Sequence, residues 1–305
     1  FRLLFSRRAD LYIVEPPPTT VGVVRVISAL RRTPYVVRAA DYWAEAAELV
    51  TTNPLVIRPL RALERWGLNG ARMLFTAHEP LTARLRAVGV TAPALPIGFG
   101  ADTKDFRYDG QRPADPPRFV YAGTYSEWHG AGIFIDAMTT VIQTHPDARL
   151  EFYGNGEDRE RLRAQADAAG VGSHVAFHGP IPPARLSTIL AGATASVASL
   201  APVPANEYAV ATKVYSSLAA GCPVVYAGIG PTIDLLQEVG HPEAGVAVEY
   251  DADAVARAMI ALADKPLPPA QRAAIAQESA TRYSLTNIAA RVVDECLRIA
   301  TRRGA

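Results

Sequence analysis

Short apolar runs alternate with segments of helical period in the second half of the chain, and this alternation constrains the fold most strongly. The apolar runs are Arg118–Ala122, Leu150–Tyr153, Val175–His178, Ala195–Leu200, Val224–Ala227 and Val246–Glu249. The helical segments between them begin near Gly130, Asp158, Pro183, Thr212, Pro231 and Asp251. Strands that alternate with helices of about ten to fifteen residues predict βαβ units and a parallel sheet. Residues 113–284 are therefore predicted to form a complete, doubly wound, Rossmann-like α/β domain.

The first part of the chain, residues 1–112, repeats this pattern with fewer units. Its predicted strands are Asp10–Glu15, Tyr35–Arg38 and Arg72–Thr76, and its predicted helices are Val21–Arg32, Pro54–Gly67 and Glu79–Val88. A doubly wound sheet has about five or six strands, and this part supplies only three or four. We therefore expect an incomplete Rossmann-like domain, with further units upstream of Phe1.

Proline and charge patterning predict where the two domains separate. The Pro-rich, charged stretch Asp109–Pro117 has the composition of an interdomain linker. The last predicted helix, Leu285–Arg302, finds no sheet position left in the second domain. We expect residues 285–305 to pack back on the first domain.

Composition excludes several classes of protein. The formal net charge is only +1, so no global positive field attracts nucleic acid. Two cysteines cannot build a disulfide framework, which favours a reducing, cytosolic setting. The six histidines lack the spacing of a metal site. Asp251-Ala252-Asp253 resembles a metal-binding D-x-D, but its place before an apolar-periodic helix favours a helix cap.

Six short segments occur in an order that is specific to one family. They are Asp41–Glu45, Ala94–Phe106, Phe119–Met138, Phe152–Gly156, Phe177–Ile181 and Ala211–Val225. Each is weak alone, and together they resemble the retaining glycosyltransferases of family 4 through nearly the whole chain. The resemblance implies the GT-B fold, in which two Rossmann-like domains flank a cleft, here with an incomplete N-terminal domain.

The resemblance also implies an activity. It implies a metal-independent, retaining transferase that moves a sugar from a nucleotide diphosphate sugar to a glycan or lipid-linked acceptor in cell-envelope polysaccharide biosynthesis. No cofactor besides the nucleotide sugar co-substrate is expected. The expected location is cytoplasmic, with peripheral contact to the inner face of the membrane as a further expectation.

Two residue types support an anion site in the second domain. Thr212 precedes an apolar helix and is a good N-cap candidate, which would leave first-turn N–H groups to face an anion. Lys213 lies in that first turn, where a cation is unfavourable unless an anion is also present. An ordinary exposed lysine is the alternative. His129 could donate a hydrogen bond to a diphosphate and become protonated there, or it could be a solvated histidine at a helix start.

The resemblance assigns roles residue by residue. The catalytic candidates are Lys213, His129, Asp41 and Glu207. The donor-binding candidates are Gly123, Thr124, Tyr125, Gly130, Gly154, Gly156, Ile181, Tyr208, Ala211, Thr212, Val214 and Ser216. Thr124 and His129 stand where the family usually has Arg and Lys. Tyr208 and Ser216 occupy the positions of its paired glutamates, and Glu207 lies one residue from the first of them.

These departures keep other functions open. A non-catalytic GT-B module that binds a nucleotide sugar or a partner is the main alternative, because Thr124, His129 and Ser216 all differ from the family pattern. A sugar-nucleotide epimerase on the same fold ranks last, since no pair of acids is placed for elimination chemistry.

Overall fold

The computed structural model describes residues 2–7, 9–48, 51–238 and 242–301, and the chain divides into two compact units. Unit 1 comprises Phe1–Phe99 and Asn287–Ala305, and unit 2 comprises Gly100–Thr286. Both contain parallel sheets with helical connections, which confirms the predicted α/β fold class. None of the helices in the described part of the chain combines the length and apolar character that crossing a membrane requires.

Unit 1 contains a four-stranded parallel sheet in the order β1-β2-β3-β4. Its strands are β1 (Tyr12–Val14), β2 (Tyr35–Ala39), β3 (Leu74–Thr76) and β4 (Ala94–Pro96). Its helices within residues 2–99 are α1 (Arg2–Phe5), α2 (Pro18–Arg31), α3 (Trp43–Glu48), α4 (Pro54–Asn69) and α5 (Glu79–Ala87). Strand β1 is an edge strand, and its Ile13 is 62% exposed.

Unit 2 contains a six-stranded parallel sheet in the order β10-β9-β8-β5-β6-β7. Its strands are β5 (Arg118–Ala122), β6 (Arg149–Tyr153), β7 (Val175–His178), β8 (Ala195–Leu200), β9 (Val224–Gly228) and β10 (Gly245–Val248). Its helices are α6 (Gly132–Thr144), α7 (Arg159–Ala168), α8 (Pro183–Gly192), α9 (Lys213–Ala219), α10 (Thr232–Glu238), α11 (Ala252–Asp264) and α12 (Pro269–Arg282). Strand β8 is buried along its whole length, as expected for a parallel strand covered on both faces.

The last helix, α13 (Leu285–Thr301), belongs almost entirely to unit 1. Its buried Ile288 and Cys296 join Val36, Phe75 and Ile97 in one apolar cluster of that unit. Helix α13 therefore covers apolar residues of β2 and β3 from residues 2–99. The predicted end of this helix at Arg302 lies outside the described residues.

The boundary between the units differs from the predicted linker at Asp109–Pro117, because hydrogen bonds tie residues 101–114 into unit 2. Ala101 N donates to Tyr283 O at 2.9 Å, and Ala114 N donates to Gly192 O at 2.8 Å. Ser187 Oγ accepts from Arg107 N at 3.0 Å. A stretch rich in proline and charge can still be ordered when its backbone groups find partners of this kind.

Candidate functional site

Two glycine turns at the carboxyl ends of neighbouring strands of unit 2 pack directly on each other. Gly123 follows β5 with a φ of +130°, and Gly154 follows β6 with a φ of +143°. A Cβ at Gly154 would overlap the Gly123 carbonyl oxygen, and one at Gly156 would overlap the Tyr125 carbonyl oxygen. Gly123 N donates to Tyr153 O at 2.8 Å. Only glycine permits this approach, so the two turns form one compact backbone surface.

The side chain of Lys213 extends from the start of α9 to this surface. Its Nζ donates to Tyr121 Oη at 2.6 Å and lies 4.1 Å from the centroid of the Tyr121 ring. A Cβ on Gly123 would come within 3.3 Å of Lys213 Cε. Lys213 as a whole is half-buried, but protein atoms surround its amine, and this desolvation lowers the pKa of Lys213 to about 7. The amine is therefore directed into unit 2 and not outward to bulk water.

His129 lies in a short 3₁₀ helix, Glu127–His129, and is held on several sides. Its Nδ1 is 2.8 Å from Ser126 Oγ, and its ring stacks on Trp128 with centroids 3.7 Å apart. Burial first, and then the charge of Lys213, lower the pKa of His129 to about 4, while Asp158 opposes this effect. Lys213 is thus close enough to His129 to disfavour a positive charge on the imidazole.

The start of α9 differs from the expected cap. Thr212 has helical angles, φ −57° and ψ −23°, and makes no side-chain capping hydrogen bond, so its prediction as an N-cap of this kind is wrong. A capping residue needs extended angles for its side chain to reach the N–H groups of the first turn. Helix α9 has only seven residues, and the dipole contribution of such a short helix is small. Ala211 N donates to Thr232 Oγ1 at 3.0 Å, which ties this turn to α10.

Three predicted donor-binding residues have packing roles in the structure. Tyr125 and Val214 are fully buried, so neither presents surface to a ligand. Tyr125 Oη donates to Gly154 O at 2.9 Å. Gly130 has a φ of +67° and its carbonyl accepts a hydrogen bond from Tyr250 Oη at 2.8 Å. The remaining candidates of unit 2 are exposed or half-buried, namely Thr124, Ile181, Glu207, Tyr208 and Ser216.

Asn206 is a site residue that sequence reasoning missed. Its Nδ2 donates to Trp128 O at 2.9 Å and to Ala201 O at 2.7 Å. The side chain is buried and fixes the segment that contains Glu207 against the turn that contains His129. In the sequence, Asn206 is a single asparagine directly before Glu207, and nothing distinguishes it from any other asparagine in a loop.

Asp41 belongs to unit 1 and lies between β2 and α3. Desolvation by the surrounding protein raises the pKa of Asp41, while His78 and Arg38 lower it. The adjacent α3 begins on a buried carboxylate, because Glu64 accepts from Trp43 N at 3.1 Å and from Ala44 N at 2.8 Å. Burial raises the pKa of Glu64 to about 7 although these two bonds lower it. The sequence analysis did not single out Glu64. It could have been found as a carboxylate on the apolar stripe of α4, because it lies seven residues after the buried Ile57.

Comparison with known proteins assigns a family to part of the chain. Residues 116–265 match the family model of glycosyl transferases group 1. The chain is 30% identical over 246 residues to a D-inositol 3-phosphate glycosyltransferase of Acidothermus cellulolyticus, covering 78% of this chain and 46% of the relative. It is 26% identical over 215 residues to a phosphatidyl-myo-inositol mannosyltransferase of Mycobacterium tuberculosis, covering 69% and 55%. The chain thus spans about half the length of these curated relatives.

Solved structures resemble the whole chain. Sucrose-phosphate synthase of Thermosynechococcus elongatus aligns with a TM-score of 0.72 at 18% identity, over 96% of this chain and 74% of that one. Anabaena HepE in complex with UDP and glucose aligns with a TM-score of 0.73 at 15% identity, over 96% and 79%. At such low identities the likeness shows the fold alone. Residues 116–265 therefore resemble the glycosyl transferases group 1 family, and the fold of the chain is similar to that of GT-B glycosyltransferases.

Proposed function

We propose that this chain is a retaining glycosyltransferase of family 4, which transfers a hexosyl group from a nucleotide diphosphate sugar without a metal ion. The observation that supports this proposal best is the pair Lys213 and His129. Each has a pKa below its ordinary value because the protein desolvates it, and the charge of Lys213 lowers the pKa of His129 further. A bound diphosphate would reverse both effects, since a nearby anion favours the charged form of an amine or imidazole.

The reaction breaks the bond between the anomeric carbon and the diphosphate oxygen. The electron pair of that bond goes to the diphosphate, whose growing negative charge the Lys213 ammonium and the His129 N–H would stabilise. The acceptor hydroxyl forms the new glycosidic bond on the same face, and its proton passes to the leaving phosphate. Asp41 is proposed as the acceptor-side residue of unit 1. Glu207 is proposed to bind sugar hydroxyls.

The substrates are proposed from the relatives' names. Three structural neighbours were solved with UDP, with UDP and glucose, and with UDP-glucose, which supports a nucleotide sugar as donor. The curated relatives are named for inositol phosphate and phosphatidyl-inositol acceptors, which supports a glycan or lipid-linked acceptor here. We place the reaction in the cytoplasm, at the inner face of the membrane when the acceptor carries a lipid.

Unit 1 presents an uncovered apolar edge. Ile13 of β1 is 62% exposed, and Val23, Val26 and Leu30 of α2 are 56%, 49% and 69% exposed. Parallel sheets are normally covered on both faces and rarely expose such edges. We propose that a further strand–helix unit, supplied by residues outside this chain, pairs with β1.

A non-catalytic module that binds nucleotide sugars is the second candidate. Ser216 favours it, because a half-buried hydroxyl stands where a carboxylate would bind sugar hydroxyls more strongly.

Isothermal titration with UDP-, GDP- and TDP-sugars, combined with an assay of donor hydrolysis, tests both candidates. Binding with hydrolysis supports the transferase, and binding without turnover supports the module. If no nucleotide sugar binds to a chain that includes the additional unit, both proposals fail.

A further inference from the structure

Lysine is a rare residue in this chain. Only three of its 31 basic residues are lysines, namely Lys104, Lys213 and Lys265, and the others are arginines. Lys104 and Lys265 are exposed, whereas the amine of Lys213 is enclosed by protein. Lysine differs from arginine in that burial can remove its proton, so its charge depends on its immediate partners. The hydrogen-bond partner of Lys213 therefore determines the position and the charge with which this amine would contact a ligand.

We propose that Tyr121 is a positioning residue, whose hydroxyl fixes the Lys213 amine beneath the Gly123–Thr124 turn so that it is ready to meet a phosphate. The proposal rests on the proposed function, because it assigns a reason for this arrangement in a site that binds a diphosphate. Tyr121 lies 92 residues before Lys213 and is not among the site residues that the sequence motifs indicate.

The hydroxyl of Tyr121 forms two hydrogen bonds with opposite roles. It accepts from Lys213 Nζ at 2.6 Å and donates to Thr124 O at 3.1 Å. Because the single hydroxyl proton is used on the Thr124 carbonyl, the oxygen lone pairs are directed to the amine. The amine, the hydroxyl and the backbone of the turn therefore form one chain of hydrogen bonds.

The aromatic ring cannot move to follow the amine. Tyr121 is 0% exposed, and the rings of Tyr125, Phe134 and Phe152 surround it at centroid distances of 6.2, 6.3 and 5.3 Å. The hydroxyl is therefore a fixed reference point in the core. The Lys213 side chain has four rotatable bonds, and the hydrogen bond to this fixed hydroxyl holds it in one position. The entropic cost of ordering it on binding a ligand is therefore small.

The charged groups around the amine leave its charge available. His129, with its pKa lowered to about 4, carries no charge at pH 7. Asp158 acts on His129 and Tyr121 but forms its own bidentate pair with Arg161 at 2.9 and 2.7 Å. The acceptor that the structure gives the amine is a neutral hydroxyl. A carboxylate there would neutralise the ammonium, whereas a hydroxyl orients it and leaves the positive charge for a phosphate.

The test uses Tyr121→Phe, which keeps the ring and removes only the hydroxyl. With ¹³Cε,¹⁵Nζ-labelled lysine the chain gives three side-chain signals, and Lys213→Arg identifies the signal of Lys213. We expect Tyr121→Phe to lower the pKa of Lys213 by about one unit and to weaken UDP binding about tenfold, because a hydrogen bond to a charged group is lost. The matched control is Tyr226→Phe, since Tyr226 is also 0% exposed and its hydroxyl donates to Ile229 O at 2.5 Å. It should change neither quantity.

An unchanged Lys213 titration in Tyr121→Phe, or an equal shift in Tyr226→Phe, would overturn the positioning role. The lysine signals are read on the free protein, so this result is independent of any nucleotide. If a chain that includes the additional unit binds no nucleotide, the proposed function fails, and with it the purpose of the pair. Should Tyr121→Phe not fold, the wild-type spectrum decides. An upfield ring-current shift of the Lys213 Hε protons supports the contact, and ordinary lysine shifts overturn it.

Discussion

At the scale of single residues, the proposed anion site of unit 2 contains two basic groups that are costly to charge. The folded protein lowers the pKa of Lys213 from 10.5 to about 7 and that of His129 from 6.5 to about 4. Between pH 7 and 10.5 the unfolded chain holds more protons at Lys213 than the folded chain does. The free energy of unfolding therefore rises with pH in this window. A bound anion acts in the opposite direction, since it restores the proton.

This linkage predicts proton uptake on binding. At pH 8 the binding of UDP should take up close to one proton at Lys213, and its affinity should fall as the pH rises above about 7. Isothermal titration in two buffers of different ionisation enthalpy measures the uptake. Lys213→Met should abolish it and weaken binding roughly 10- to 100-fold, because a charge-assisted hydrogen bond is lost. Lys265→Met, at an exposed lysine, is the control. Uptake that persists in Lys213→Met would contradict the assignment.

The glycine turn gives a second prediction at this scale. Gly154→Ala should lower the free energy of unfolding of unit 2 by about 2 kcal/mol, because alanine is strained at a φ of +143°. Its Cβ would also overlap the Gly123 carbonyl. Thermal unfolding measures this loss. Gly179→Ala is the matched control, since a Cβ there meets nothing within 4 Å. Equal melting temperatures for the two variants would contradict the prediction.

At the scale of elements, one helix begins on a partner that lies far away in the sequence. Helix α3 begins on the carboxylate of Glu64, which belongs to α4. In contrast, Asp251 caps α11 locally, with Oδ1 accepting from Ala254 N at 2.9 Å, so the sequence-based expectation of a cap there is confirmed.

Glu64→Gln should therefore loosen the start of α3. An amide can accept only through its oxygen, so one of the N–H groups of Trp43 and Ala44 would lose its partner. That loss costs about 1 to 3 kcal/mol, which corresponds to roughly 10- to 100-fold faster local opening. Hydrogen exchange of these two amides measures the effect. Glu48→Gln, which changes an exposed pair with Arg61, should leave the exchange unchanged. Unchanged exchange in Glu64→Gln would exclude the capping role.

At the scale of the whole molecule, unit 1 is assembled from both ends of the chain. Residues 287–301 of α13 cover the cluster around Val36, Phe75 and Ile97. The apolar cluster of this unit is therefore covered only when residues 287–301 are in place. This arrangement also explains why the predicted final helix has no sheet position in unit 2.

Ile288→Ala tests this dependence. The substitution removes a side chain that is 9% exposed and should lower the free energy of unfolding of unit 1 by about 2 kcal/mol. Hydrogen exchange in β2 and β3 should rise, while exchange in the sheet of unit 2 stays unchanged. Leu297→Ala, at a position that is 58% exposed, serves as the control. A uniform rise in both sheets would contradict the assignment of α13 to unit 1.

Local chemistry determined much of this protein from its sequence alone. Apolar runs and helical periods predicted the parallel strands, because burial on both faces leaves a continuous apolar signature. Gly123 and Gly154 were predicted only as donor-binding positions, and the packing of their two turns on each other is seen only in the folded chain. Tertiary structure alone decided the environment of Lys213, the cap of α3 and the boundary at Phe99. Each depends on a contact with a residue far away in the sequence, namely Tyr121, Glu64 or Tyr283, which the sequence does not reveal. The lowered pKa of Lys213 also requires desolvation, which arises only once the chain has folded around the amine.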